Sequence, residues 1–313
     1  MKKIFIAGHK GMVGSSILRN ISKKNKIITV EKKKLDLLDF NKTYNFFKKN
    51  KFDEVYLCAA KVGGIVANYS SPADFIYNNL QIQNNCIFSA YKTKVKKLLF
   101  LGSSCIYPKK TNIPIKENCL LTGKLEKTNE AYSIAKIAGI KMCESFNRQH
   151  NTDYRSVMPT NLYGPNDNFD DLNSHVLAAL IKKIFYAKKN NKKTVVIWGN
   201  GKPKREFLHV DDFSKACLRI MSISKKKYQK ICDKEYHFVN IGYGKEISIK
   251  ELANLIKSIV GFKGKFIFDK NKPNGTFRKL IDSQKIRKIN WKPKISLKKG
   301  LIKEITSFMF QNT

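Results

Sequence analysis

Apolar residues along this chain fall into short runs separated by lysine-rich polar stretches. The runs at 3–7, 26–30, 54–60, 98–101 and 154–158 are compact and nearly continuous, as in Ile4-Phe5-Ile6-Ala7 and Leu98-Leu99-Phe100-Leu101. Such runs predict strands buried on both faces. Between them, 11–18, 41–50, 72–91 and 129–150 predict helices, the last two long. Strand and helix alternate through this whole region. That alternation predicts an α/β fold, a doubly wound parallel sheet with helices on both faces.

Beyond Gly164-Pro165 the alternation loosens, and 261–291 is polar and rich in turn residues. This predicts a smaller C-terminal α/β lobe with a substrate cleft against the sheet. The expected division is 1–164 for the sheet domain, with a return segment near 207–240, and 165–206 with 241–313 for the substrate lobe.

Composition changes this picture little. The chain has 313 residues, and its 42% hydrophobic content supports a real core. No run approaches the ~18 apolar residues of a membrane helix. The first residues are too short an apolar stretch for a signal peptide, so a cytoplasmic protein with no membrane partner is expected. The seven cysteines are scattered without a C-x-x-C pair, and neither a metal site nor a disulfide framework is expected. Cys58, Cys86, Cys143 and Cys217 sit in apolar segments and read as core.

The formal charge is +37, which raises nucleic-acid binding as a possibility. Of 61 basic residues only seven are arginine, leaving 54 lysines spread over nearly every polar segment. Base readout and bidentate phosphate clamps favour arginine. The charge therefore reads as solvated surface that draws in an anionic substrate, with no specific nucleic-acid partner.

The first run ends in Gly8-His9-Lys10-Gly11-Met12-Val13-Gly14. A glycine loop between a first strand and a helix lets a pyrophosphate approach bare backbone and meet the N–H groups of the helix start. This predicts a Rossmann-type dinucleotide site at Gly8, Lys10, Gly11, Met12, Val13 and Gly14. Glu31, after the second strand, suits the ribose hydroxyls of NAD. Lys10 and Lys32 suit a 2′-phosphate, and NADP is expected, with Glu31 pointing away.

Tyr132-Ser133-Ile134-Ala135-Lys136 is a Y-x-x-x-K pair, which a helix places on one face. An ammonium near the phenol would favour its deprotonation and tune it as a proton donor or acceptor. Ser103, at the end of the 98–101 run, would hydrogen-bond the same substrate oxygen. Together these residues describe carbonyl reduction.

The set resembles the extended short-chain dehydrogenase/reductase family over nearly the whole chain, including Ile197-Trp198-Gly199-Asn200-Gly201-Lys202-Pro203-Lys204-Arg205-Glu206-Phe207-Leu208-His209-Val210-Asp211-Asp212. The strings Ala59-Ala60-Lys61-Val62-Gly63-Gly64-Ile65, Gly102-Ser103-Ser104-Cys105-Ile106-Tyr107-Pro108, Met158-Pro159-Thr160-Asn161-Leu162-Tyr163-Gly164-Pro165 and Asn173-Ser174-His175-Val176 are similar to its members that epimerise a GDP-4-keto-6-deoxy-mannose at C3 and C5 and reduce it at C4. A 4-keto group acidifies the hydrogens on C3 and C5, and inversion needs two proton-transfer groups. A serine hydroxyl is too weak an acid. A thiol titrates near ~8.5 and an imidazole near ~6.5, and Cys105 and His175 fit.

The residues leave the direction of proton transfer open; the resemblance makes Cys105 the base and His175 the acid. It also sets Asn161, Leu162 and His175 beside the cofactor, and Lys183, Trp198, Arg205 and Lys279 on the nucleotide sugar, Arg205 at its diphosphate. Lys183, Lys10 and Lys32 stand where arginines are expected. A homodimer through 72–91 and 129–150 is implied too. A related GDP-4-keto sugar such as a heptose, with or without epimerisation, is the alternative substrate. A non-catalytic binding module is the rival class, disfavoured by the intact Ser103, Tyr132 and Lys136.

Overall fold

The computed structural model describes residues 1–171, 174–233, 235–272 and 276–312. Asn173, part of one of the strings above, lies outside them. The strands are β1 (Lys3–Ala7), β2 (Lys26–Ile28), β3 (Glu54–Leu57), β4 (Lys97–Leu101), β5 (Tyr154–Pro159), β6 (Asn161–Tyr163), β7 (Thr194–Trp198), β8 (Lys204–His209), β9 (Phe238–Ile241), β10 (Glu246–Ser248), β11 (Lys265–Asp269) and β12 (Arg278–Lys279). The helices are α1 (Met12–Asn20), α2 (Phe40–Asn50), α3 (Ile65–Ser70), α4 (Pro72–Lys92), α5 (Glu130–His150), α6 (Val176–Lys189), α7 (Val210–Ser222), α8 (Lys225–Ile231), α9 (Ile249–Val260), α10 (Gln284–Arg287) and α11 (Leu297–Asn312).

Six strands form the central sheet in the order β2-β1-β3-β4-β5-β9, every pair parallel. Side chains alternate across a strand, so the apolar runs feed two separate cores. Phe5, Val55, Leu57, Leu98 and Phe100 pack with Phe47, Cys86 and Ile140 from α2, α4 and α5. Ile4, Ile6, Tyr56, Leu99, Val157 and Val239 pack with Ile17, Phe213 and Cys217 from α1 and α7. Both faces are covered, which is why the strands read as continuous apolar runs rather than alternating ones.

A third core joins α6, α9 and α11 to β7 and β8. There β8 pairs with β6, β10 and β12, while β11 pairs with β7. Local chemistry sets the helix ends. Asp39 caps α2 by accepting from the Lys42 N–H, and Ser248 with Glu251 forms a reciprocal capping box on α9.

The strand order reverses at β1, with β2 on one side and β3 on the other. Ligands of open α/β sheets bind at such a switch, beyond the carboxyl ends of the strands. The loops after β1, β3 and β4 carry the glycine loop, Cys58 to Gly64, and Gly102 to Cys105.

Candidate active site

One continuous cavity of about 1150 Å³ runs over these strand ends. Each residue that the sequence nominated for catalysis, cofactor or substrate lines it.

At its β1 end, Gly8 has φ +80°, and a side chain there would meet the Ala59 backbone at 2.8 Å. A Cβ on Gly14 would stand 2.2 Å from the Gly8 carbonyl oxygen, so helix and loop touch without side chains. Gly11 is different: nothing lies within 3.4 Å of an added Cβ, and the N-terminus of α1 that it begins has no side-chain cap. The bare surface and uncapped N–H groups face the cavity, a cradle suited to a pyrophosphate. Met12 and Val13 form the first turn of α1 beside it.

Glu31 does not point away. Its carboxylate pairs with the Lys10 ammonium at 2.8 Å, and that hydrogen bond lowers its pKa. Lys32 lies 4.0 Å from Asp36. Both lysines are exposed at the cavity edge, where a phosphate could replace their carboxylate partners. The sequence reading missed this pairing because Lys10 and Glu31 approach only through the parallel pairing of β1 with β2.

Ser103 ends the β4 loop, and its Oγ accepts from the Cys105 N–H at 3.2 Å. The Ser103 hydroxyl also lies within hydrogen-bonding reach of the Tyr132 phenol. Burial pushes that phenol well above its ordinary range, the Cys105 charge adds to the rise, and the Ser103 bond offsets part of it. Tyr132 is therefore a protonated donor at neutral pH.

Lys136 is one turn on, on the same face of α5. Its ammonium donates to the Leu101 carbonyl at 3.0 Å and lies 5.7 Å from the Tyr132 ring centroid and 4.9 Å from that of Phe100. Burial drops its pKa to about 8. The expected downward pull on the phenol is overridden, because burial dominates and the ammonium is turned to a backbone oxygen.

Cys105 is half-buried in a short 3-10 turn spanning Ser104–Ile106. His175 begins α6 but makes no side-chain cap bond to it. Its surface is open to the cavity while protein crowds the rest of the ring. Lost hydration lowers its pKa.

Arg205 on β8 and Lys279 on β12 are register partners across a parallel pair, which sets two cations side by side. Arg205 is half-buried, and lost hydration lowers its pKa. Trp198 is 45% exposed, with the Lys183 and Lys272 ammonium groups 5.1 and 5.5 Å from its ring. The amide nitrogen of Asn161 donates to the Glu206 carbonyl at 2.9 Å, tying β6 to β8, and Leu162 follows it along the wall.

Three polar residues escaped the sequence reading. Asn129 donates to the Cys105 sulfur at 3.2 Å. Glu126 lines the same wall. Glu206, fully buried, accepts from the Gly244 and Ile281 N–H groups at 2.6 and 3.2 Å and fixes the loops beneath Arg205. The T-N-E stretch before Tyr132 offered a cue for Asn129; Glu206 gave none, since its partners are remote in sequence. Cys86, Cys143 and Cys217 are buried as expected, whereas Cys58 packs on the core and also touches the cavity.

Residues 4–242 match the model of the NAD dependent epimerase/dehydratase family. The chain is 50% identical over 302 residues to the GDP-L-fucose synthase of Escherichia coli K12, covering 96% of this chain and 94% of that protein. It is 52% identical to GDP-L-fucose synthase 1 of Arabidopsis thaliana, covering 96% and 90%. Among solved structures, a GDP-6-OMe-4-keto-L-xylo-heptose reductase from C. jejuni superposes with TM-score 0.92 at 36% identity, over 99% of this chain and 98% of that one. A GDP-L-fucose synthetase from Naegleria fowleri bound to NADP gives 0.88 at 26%, over 99% and 95%. With the glycine cradle, the Ser103, Tyr132 and Lys136 set and these likenesses in hand, the chain belongs to the NAD dependent epimerase/dehydratase family.

Proposed function

We propose that this enzyme converts GDP-4-keto-6-deoxy-D-mannose to GDP-L-fucose, by epimerisation at C3 and C5 followed by NADPH-dependent reduction at C4. The observation that carries the reading is one cavity lined by a thiol, an imidazole and a Ser–Tyr–Lys set. Curated relatives at 50% and 52% identity bearing the GDP-L-fucose synthase name support it.

The cradle fits NADP: Gly8, Gly11, Met12, Val13 and Gly14 would hold the pyrophosphate, and Lys10 with Lys32 the 2′-phosphate. Tyr132, Lys136, Asn161, Leu162 and His175 line the cavity further along and would meet the rest of the cofactor. When bound, NADPH supplies a hydride to the substrate carbonyl carbon.

Cys105 takes the proton from a carbon next to the ketone, and the C–H electron pair is drawn toward the carbonyl oxygen. His175 returns a proton to that carbon, inverting it. Ser103 orients the carbonyl oxygen. Tyr132 gives that oxygen its phenolic proton in the reduction, and Lys136 supports Tyr132 by its charge. Arg205 and Lys279 bind the diphosphate, while Lys183 and Trp198 hold the nucleotide end. One ketone thus serves both halves, acidifying its neighbours first and being consumed last.

No described helix is long and apolar enough to cross a membrane. The seven free cysteines support a reducing, cytoplasmic setting. Exposed Tyr77 and Ile134 on α4 and α5 support a homodimer through these two helices; light scattering at a twofold protomer mass would bear this out. A second reading keeps the chemistry on a GDP-4-keto-heptose, favoured by the likeness to heptose reductases. Incubation with GDP-4-keto-6-deoxy-mannose and NADPH tests the first reading. GDP-L-fucose by NMR supports it, and no NADPH oxidation sinks it.

A further inference from the structure

We infer that Asn129 is a positioning residue for the Cys105 sulfur, acting on proton exchange rather than on reduction. The inference rests on the epimerase reading of the site. Asn129 Nδ2 lies 3.2 Å from Cys105 Sγ. An amide N–H only donates, so this contact holds a sulfur lone pair and fixes where it points; such a donor bonds an anion more strongly than a neutral acceptor.

The orientation is built rather than incidental. Asn129 stands at the N-cap of α5, where an asparagine side chain ordinarily accepts from the first-turn N–H groups. Here it makes no cap bond. The buried Ser133 hydroxyl instead donates to the Asn129 main-chain carbonyl at 2.9 Å and lies 3.5 Å from its side-chain oxygen. The amide nitrogen is thereby turned to sulfur. Asn129 also lines the main cavity with Cys105, so the contact sits where substrate would.

Other charged or titratable groups line the same cavities as Cys105 from each neighbouring element. Tyr132 comes from α5 and Arg205 from β8. Glu126 and Lys109 come from the preceding loops, and Arg278 and Lys279 from β12. His175 lines the same cavity. Among the described residues, Asn129 is the one whose side chain hydrogen-bonds the sulfur.

The test is the pH dependence of Cys105 alkylation by iodoacetamide in the full-length, NADP-loaded enzyme. Labelling is followed on the peptide that carries Cys105, with Cys105→Ser as the blank. Asn129→Asp keeps the size and sets a carboxylate against the sulfur; Asn129→Ala removes the donor without costing a cap. The midpoint should rise by about one unit in Asn129→Asp and by roughly half a unit in Asn129→Ala. At pH 7 the ratio of solvent deuterium exchange at C3 and C5 to ketone reduction should fall about tenfold in Asn129→Asp.

Midpoints that stay at the wild-type value in both variants overturn the inference, even with exchange intact in wild type. A wild type that reduces the ketone but exchanges no deuterium overturns the epimerase reading, and the exchange role with it, while the shifted midpoint still records the amide–sulfur bond.

Discussion

Replacing Lys136 by methionine should make the protein more stable and nearly inactive. The ammonium is buried, and its pKa falls from 10.5 to about 8. Each unit is 1.36 kcal/mol of differential interaction, so burial disfavours the charged form by about 3 kcal/mol at pH 7. Methionine fills similar space without charge. It also leaves the Leu101 carbonyl without its donor, and a bond to a charged group contributes roughly 1.5–3 kcal/mol. A net gain of about 1 kcal/mol remains.

The sign follows from linkage. A lysine whose folded pKa is depressed destabilises the fold below that pKa, and the cost is relieved as pH climbs from about 8 towards 10.5. The advantage of Lys136→Met should therefore be largest at pH 7 and vanish near pH 10. Urea unfolding of nucleotide-free protein at pH 7 and pH 9.5 measures this directly. Reduction of the 4-keto sugar should drop by about a hundredfold or more. A variant less stable than wild type by more than about 1 kcal/mol at pH 7 would refute the reasoning, because the buried ammonium would then be a net stabiliser.

Cys105→Ser should stop solvent deuterium entering C3 and C5, while a pre-epimerised ketone is still reduced at a measurable rate. Since lost hydration lowers the His175 pKa, the protonated imidazole is favoured on the acid side of its ordinary range, and exchange should decline as pH rises through it; in His175→Gln that limb of the pH–rate profile should be absent. Glu31→Gln releases Lys10 for the 2′-phosphate, so KM for NADPH should fall about threefold at low salt and converge with wild type as salt screens the site. Arg205→Lys keeps the charge but loses the planar fork, and KM for the nucleotide sugar should rise about tenfold.

Elements with near-continuous apolar runs were legible from sequence, because parallel strands buried on both faces leave no polar alternation to confuse them. The long helices 72–91 and 129–150 appear as Pro72–Lys92 and Glu130–His150. The short helix Ile65–Ser70 and the 3-10 turn carrying Cys105 were not legible, since too few residues define a period.

Residues tied to a local string were brought into one cavity, Ser103, Tyr132 and Lys136 among them. What the sequence hid was set by tertiary approach. Glu31 meets Lys10 across a strand pair, Lys136 turns to Leu101 instead of the phenol, and Asn129 gives its amide to sulfur rather than to its own helix.

The central claim is that a ketone is both epimerised and reduced in this one cavity. A reaction of GDP-4-keto-6-deoxy-mannose with NADPH in deuterium oxide, followed by NMR, tests it most directly. The expected product is inverted at C3 and C5, with deuterium at both carbons and hydride-derived protium at C4. A reduced product with unlabelled, uninverted C3 and C5 would contradict it.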